Sequence, residues 1–145
     1  MLEITREVPL ENFNTDIVLI PVNLQGYKNI PEIEEFLKNN LEIYDCYCSA
    51  VYSYSLKIGN CAVITKNNIR YVFIPIADKT NYYRLSNLEK ALDDVLRYVK
   101  ENIPKASICL PILSMCKFYK INIKDIEKLL EDKFNYIENK VYIAI

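Results

Sequence analysis

Asp16-Ile17-Val18-Leu19-Ile20-Pro21-Val22-Asn23 decides the fold. From Ile17 to Val22 the run is short, rich in β-branched residues and apolar throughout, without the alternation of a strand that faces water. A strand of this kind is covered on both faces, as in parallel sheets flanked by helices. Asn23-Leu24-Gln25-Gly26 ends it with turn formers.

The rest of the chain falls into place around that strand. Leu2 and Ile4 alternate with polar residues, as in a first edge strand. Asn29, or the residue beside it, is placed to cap a helix with Pro31 in its first turn and Ile33, Phe36 and Leu37 on its apolar face. The stretch from Tyr44 to Tyr54 is rich in Tyr, Cys and Ser and fits no single element. On a strand, Cys46 and Cys48 would share a face; the tyrosines Tyr44, Tyr47, Tyr52 and Tyr54 suit a contact surface or packing at a sheet edge or in the core. Cys61 to Thr65 and Ile69 to Ile76 read as a hairpin turning at Lys66-Asn67-Asn68. A polar loop, Ala77 to Leu85, leads to Ser86-Asn87-Leu88-Glu89, which has the form of a capping box. The helix that follows carries Leu88, Ala91, Leu92, Val95, Leu96 and Val99 on one stripe, and Pro104 lies beyond its end. Ser107 to Ile112 is another buried strand, and Leu113 to Ile121 reads as the loop after it. Asn122 is placed to cap a helix with Ile126, Leu129, Leu130 and Phe134, and Val141 to Ile145 is a last strand. Strands alternating with helices predict an α/β fold: a three-layer α/β/α sandwich around a mixed, largely parallel sheet. No repeat or linker divides it, so residues 1–145 are expected to form a single domain.

Composition narrows the chemistry. Hydrophobic residues make up 51% of the chain and charged residues 26%, which is the balance of a packed core. The net charge of -1 provides no basic field for nucleic acid. No apolar run approaches the roughly 20 residues that cross a bilayer, and the first residues lack the pattern of a signal peptide. The expectation is a cytoplasmic protein with no membrane partner. With 0 His, catalytic pairs that need imidazole cannot form. With 2 Gly, neither a Walker loop nor a dinucleotide fingerprint is present. The 5 cysteines are Cys46, Cys48, Cys61, Cys109 and Cys116; no C-x-x-C pair joins them, and they read as inert thiols with no metal and no cofactor implied. Ligands of such sheets bind beyond the carboxyl ends of the strands, which directs attention to Pro21–Asn29 and Leu113–Ile121.

An ordered series of segments resembles macro domains, the fold that usually binds ADP-ribose. Asp16…Val22-Asn23…Gly26 resembles the family's "D-x-I-V-N-x-x-N" strand and turn. Leu56-Lys57-Ile58-Gly59-Asn60-Cys61 is similar to the "L-K-P-G-D-V" before its central hairpin. Ser107-Ile108-Cys109-Leu110-Pro111-Ile112-Leu113 is similar to the "S-I-A-I-P-x-L" that feeds its second ligand loop. The nearest branch is the one that removes ADP-ribose from nucleic acid and protein, including antitoxin-type members. Three departures stand out. Ile20 replaces the first Asn of "V-N-x-x-N". The Gly-rich first loop has shrunk to Gly26-Tyr27-Lys28-Asn29. The second loop, "G-C-G-L-G-G-L-D" in the family, reads Ser114-Met115-Cys116-Lys117-Phe118-Tyr119-Lys120-Ile121, without a glycine.

The resemblance implies a ligand site at Asp16, Asn23, Gly26, Ser114, Met115, Cys116, Lys117 and Phe118. Asp16 would meet an adenine amine or else end a loop; Asn23 would meet a ribose or else make a turn. Phe118 and Tyr119 would stack on a ligand or plug the space left by the glycines. Catalysis in that branch is credited to a Lys, which Lys79 approximates, and an Asp, whose place Lys120 or Ile121 takes. Three functions follow: a non-catalytic binder of ADP-ribose or a related nucleotide, a pseudoenzyme serving as a protein interaction module, and an ADP-ribosyl hydrolase centred on Lys79. Nucleic acid would enter only as an ADP-ribosylated substrate.

Overall fold

The computed structural model describes residues 2–4, 15–134 and 141–144, with side chains for residues 15–134. In chain order the elements are β1 (Leu2–Ile4), β2 (Ile17–Val22), α1 (Pro31–Lys38), α2 (Leu41–Tyr52), β3 (Ala62–Lys66), β4 (Ile69–Pro75), α3 (Leu85–Asn102), β5 (Ile108–Pro111), α4 (Ile112–Tyr119), α5 (Ile123–Phe134) and β6 (Val141–Ala144). The sheet runs β1-β6-β5-β2-β4-β3. Every pairing is parallel except the β3–β4 hairpin, so the mixed, largely parallel sheet is as expected. The last expected strand is present to Ala144; Ile145 lies outside the described residues.

β2 and β5 are buried at every position, which requires cover on both faces. Edge strand β3 alternates half-buried and exposed residues. The α3 stripe buries Leu88, Ala91, Leu92, Val95 and Val99, each large side chain contributing roughly 1.5–3 kcal/mol. Asn67 and Asn68 both take positive φ, 53° and 65°, the conformation that a two-residue hairpin turn needs. Asn122 caps α5 by accepting the Lys124 amide at 3.0 Å.

Three local expectations are corrected. Tyr44 to Tyr52 is helical: it lies within α2, where Cys46 and Cys48, two residues apart, do not face each other. The capping box at Ser86 does not form, because α3 begins one residue earlier at Leu85 and Arg84 holds the cap position without a side-chain bond. The cap of α1 falls on Ile30, the residue beside Asn29, as expected, again without a side-chain bond. Leu113 to Tyr119 is no loop but the body of α4. A run free of glycine, with Leu, Met, Cys and Lys, has the propensity to continue as helix directly from the strand.

A buried polar knot fixes the turn after β2. The Tyr47 hydroxyl lies 2.8 Å from both the carbonyl oxygen and Oδ1 of Asn23, and it accepts the Gly26 amide and Asn29 Nδ2, each at 3.1 Å. Asn29 Oδ1 accepts the Asn23 amide at 2.7 Å, and Glu34 accepts both the backbone amide and Nδ2 of Asn29. Tyr47 and Asn23 are fully buried. Burial pushes the Tyr47 phenol well above its usual range, so it stays protonated and able to donate. No described helix is long and apolar enough to cross a membrane.

Two stability predictions follow from this packing, both read as shifts in urea midpoint. Leu92→Ala removes a fully buried side chain and costs about 2–5 kcal/mol, whereas Ser86→Ala, lacking the cap bond, stays within about 0.5 kcal/mol of the parent. Tyr47→Phe keeps the ring but strands the Gly26 amide and leaves Asn29 Nδ2 with Glu34 alone, and lowers stability by about 1–3 kcal/mol.

Candidate functional site

The carboxyl ends of β2, β4 and β5 bring three segments together. The first is the turn Asn23–Asn29, the second the loop from Ile76 to Arg84, and the third is α4, which starts where β5 stops. They are tied at Asn81, a residue held at φ 60°. Its Oδ1 accepts from Asn23 Nδ2 at 3.2 Å and from the Tyr119 hydroxyl at 2.7 Å. Its Nδ2 donates to the Lys28 carbonyl at 3.0 Å. The Leu24 amide to the Asp78 carbonyl adds a backbone link at 3.4 Å. Asn81 carried no signal in the sequence beyond membership of a polar loop.

The expected site residues divide three ways. Asn23 and Gly26 stand at this end of the sheet. The Asn23 amide is committed to the turn: Nδ2 reaches the carbonyls of Tyr27 and Lys28 besides Asn81, and Oδ1 accepts from the Gln25 amide at 2.9 Å. Gly26 sits at φ +90° with open space where a Cβ would project, while its amide is held by the Tyr47 hydroxyl. The α4 residues divide by helix face. Ser114, Met115 and Cys116 are buried, while Lys117 and Phe118 are exposed. Burial and the nearby Glu127 push the Cys116 thiol up to about 11, so it is neither a nucleophile nor a ready metal ligand at neutral pH. Asp16 lies at the other end of β2, roughly 20 Å from Asn23 at strand rise, and does not join them.

Tyr119, read with Phe118 as either a stacking ring or a plug, is anchored among these segments. It is half-buried, stacks on Tyr83 at 5.6 Å and meets the edge of Phe118 at 4.8 Å. Burial raises the Tyr119 and Tyr83 phenols to about 12. Beneath it the Tyr83 hydroxyl is buried without a hydrogen-bond partner, as is Oε1 of Gln25. Around the rim stand the exposed rings of Tyr27, Tyr82 and Phe118. Tyr27 and Tyr82 each have a cation above them, Lys28 at 5.5 Å and Arg84 at 5.2 Å. The first turn of α4 has no side-chain cap on its amides, and that turn opens at the end of β5.

Lys79 is exposed, its ammonium 4.9 Å from the centre of the Tyr54 ring. The adjacent Asp78 carboxylate turns back on its own loop. Its Oδ1 accepts from the Thr80 amide at 2.8 Å, the Thr80 hydroxyl at 2.5 Å and the Tyr82 amide at 3.1 Å. The Thr80 hydroxyl first, then the Tyr82 amide, hold Asp78 below the usual carboxylate range. An ionised, locally consumed carboxylate is a poor proton donor for a neighbouring group.

No protein-family model matches this sequence, and no curated protein sequence does. Solved structures do match its shape. The macrodomain of Thermus aquaticus DarG superposes with a TM-score of 0.84 at 18% identity, over 100% of this chain and 98% of that one. The macrodomain of Mycobacterium tuberculosis DarG gives 0.83 at 19%, over 99% and 97%. A Thermosipho africanus DarTG in complex with ADP-ribose gives 0.76 at 13%, over 89% of this chain and 38% of that one. Identities this low speak to architecture: the chain has the macrodomain fold, in divergent form.

Proposed function

We propose that this chain is a single cytoplasmic binding domain for ADP-ribose or a related nucleotide, and that it holds the ligand at the carboxyl ends of β2, β4 and β5 without hydrolysing it. The observation that carries this reading is the convergence of the three segments on Asn81. Beside that knot lie the open space at Gly26, the uncapped first turn of α4 and the exposed rings of Tyr27, Tyr82 and Phe118. Amides at a helix start suit a phosphate, and aromatic faces suit a base or ribose. A similar fold is solved in complex with ADP-ribose in the DarTG of Thermosipho africanus.

Two features favour binding over hydrolysis. Lys79 stands over a tyrosine ring on the surface, and the one carboxylate beside it in sequence is spent on Thr80 and Tyr82. A nucleophile or general base needs a partner within hydrogen-bond reach. Free thiols at all 5 cysteines suit a reducing compartment.

A second reading rests on one specific observation, the plug. Tyr119 is anchored to Asn81 and stacked on Tyr83, and Met115 and Cys116 are buried in the core. On that reading the cleft is closed for good and the exposed Tyr52 and Tyr54 belong to a protein contact.

Calorimetric titration with ADP-ribose, AMP and NAD separates the two. The binder gives saturable heat with ADP-ribose, and Tyr119→Ala tightens it roughly 30- to 100-fold by removing the conformational cost of displacing the ring, about 2–3 kcal/mol. Lys79→Ala leaves the affinity within about twofold, a change under 0.5 kcal/mol, and chromatography detects no release of ADP-ribose from an ADP-ribosylated peptide or oligonucleotide by either protein. Absence of heat from both the parent and Tyr119→Ala transfers the assignment to the interaction domain. Release of ADP-ribose that depends on Lys79 makes the chain a hydrolase.

A further inference from the structure

A groove of about 460 Å3 opens at the amino ends of the strands, at the opposite end of the sheet from the proposed nucleotide site. Its walls are Asp16, Asn68, Arg70 and the turn Ile103-Pro104-Lys105-Ala106 that follows α3. Strand register builds it. Arg70 pairs with Ile17, and its amide donates to the Asp16 carbonyl at 2.9 Å. The Asp16 carboxylate clasps β2 to the start of β5, its Oδ2 accepting the Ser107 amide at 2.9 Å and the Ser107 hydroxyl at 3.2 Å.

The charge in this groove is unbalanced. Arg70 and Lys105 bring two cations, and neither takes part in an ion pair among the described residues, which pair Arg97 with Asp94 and Lys133 with Glu89 and Asp93. Among the described residues that line it, the one carboxylate, Asp16, has an oxygen already occupied by Ser107. The Arg70 guanidinium lies 5.9 Å from the centre of the Tyr98 ring, and its Nη1 is buried with no hydrogen-bond partner. Guanidinium cannot shed its proton, and its planar fork matches phosphate oxygens two at a time. Ile103 and Pro104 supply an apolar wall beside the cations, and the volume lies within the range of small-molecule sites, well above the needs of a bare ion.

We infer that this groove binds a small organic phosphate monoester, with its dianionic head between Arg70 and Lys105 and its organic part against Ile103 and Pro104. The site is independent of the nucleotide reading of the carboxyl-end cleft. It would explain what Asp16 lines, since that residue is too far from Asn23 to share a ligand pocket with it.

Amide NMR of the full chain, titrated separately with inorganic phosphate and ribose 5-phosphate, tests the assignment. Saturable shifts are expected at Asn68, Arg70, Lys105 and Ala106, with ribose 5-phosphate binding more tightly than inorganic phosphate. Arg70→Gln and Lys105→Gln should each weaken ribose 5-phosphate at least fivefold, while Tyr119→Ala at the other end should leave it unchanged. Because Arg70 packs near Tyr98, Lys105→Gln on an exposed side chain is the variant that decides. Unaltered affinity in Lys105→Gln, shifts confined to the Asn23–Asn29 and Ile76–Arg84 segments, or no saturable shift would overturn the site. Equal affinity for the two ligands would overturn its assignment to an organic phosphate.

Discussion

The contact between the Tyr47 hydroxyl and Asn23, buried at the carboxyl end of β2, is the interaction on which the upper half of the molecule depends. A tight turn leaves backbone amides and carbonyls that must find partners once water is excluded. Glycine-rich loops often meet that demand by letting backbone approach backbone. This chain has 2 glycines and meets it with side chains instead. Asn23, Asn29 and Tyr47 between them satisfy the amides of Asn23, Gln25 and Gly26 and the carbonyls of Asn23, Tyr27 and Lys28. Asn81 then extends the same knot to β4 and α4. A fully satisfied network of this kind is rigid, and removing any one member strands several partners at once.

Scarcity of glycine leaves its mark elsewhere. Positive φ falls on Lys28, Tyr54, Asn67, Asn68, Asn81 and Lys120. Asn accepts this conformation readily, whereas a lysine or tyrosine there costs about 1 kcal/mol. Lys120, at φ 56°, ends α4 in the position glycine usually holds, and its amide returns to the Cys116 carbonyl. Forming α4 where a glycine-free loop was expected turns side chains into filling: Met115 and Cys116 enter the core, while Lys117 and Phe118 are left outside.

What could be read from the sequence follows from how local each signal was. β2 was legible because an unbroken β-branched run of that length has few other uses, and α3 because its apolar spacing persists from Leu88 to Val99, about three turns. Asn67-Asn68 and Asn122 act within two or three residues of themselves, so the turn and the cap were legible too. α2 was not, since Tyr and Cys are poor helix formers and only the tertiary burial of Ile43, Tyr47 and Ala50 selects the helix. The form of a capping box at Ser86 misled because the helix starts at Leu85 instead. Of the expected site residues, Asn23 and Gly26 stand at the carboxyl end of the sheet, a place that their position after a strand made legible. Asp16, quoted in the same motif, belongs to the far end of that strand, a separation that a linear pattern conceals. Tyr47 and Asn81 were missed because their importance lies in partners at distances of 24 and 58 residues along the chain.

The magnitudes of these contacts bear on whether the cleft is closed or merely covered. Tyr119 is held by one hydrogen bond and by ring contacts with Tyr83 and Phe118. A net hydrogen bond is worth about 1 kcal/mol and an aromatic pair about as much, so displacing the ring costs on the order of 2–3 kcal/mol. Micromolar binding corresponds to about 8 kcal/mol. A cover of that strength lowers affinity without abolishing it. The filling supplied by α4 is different in kind. Met115 is fully buried and Cys116 nearly so, and extracting them would open the core and unwind the helix together. A ligand at this end therefore meets α4 as a helix. On the proposed reading, the Gly26 amide being held by Tyr47, the anchoring of its phosphates would fall to the first-turn amides of α4, with Tyr119 the movable part beside them.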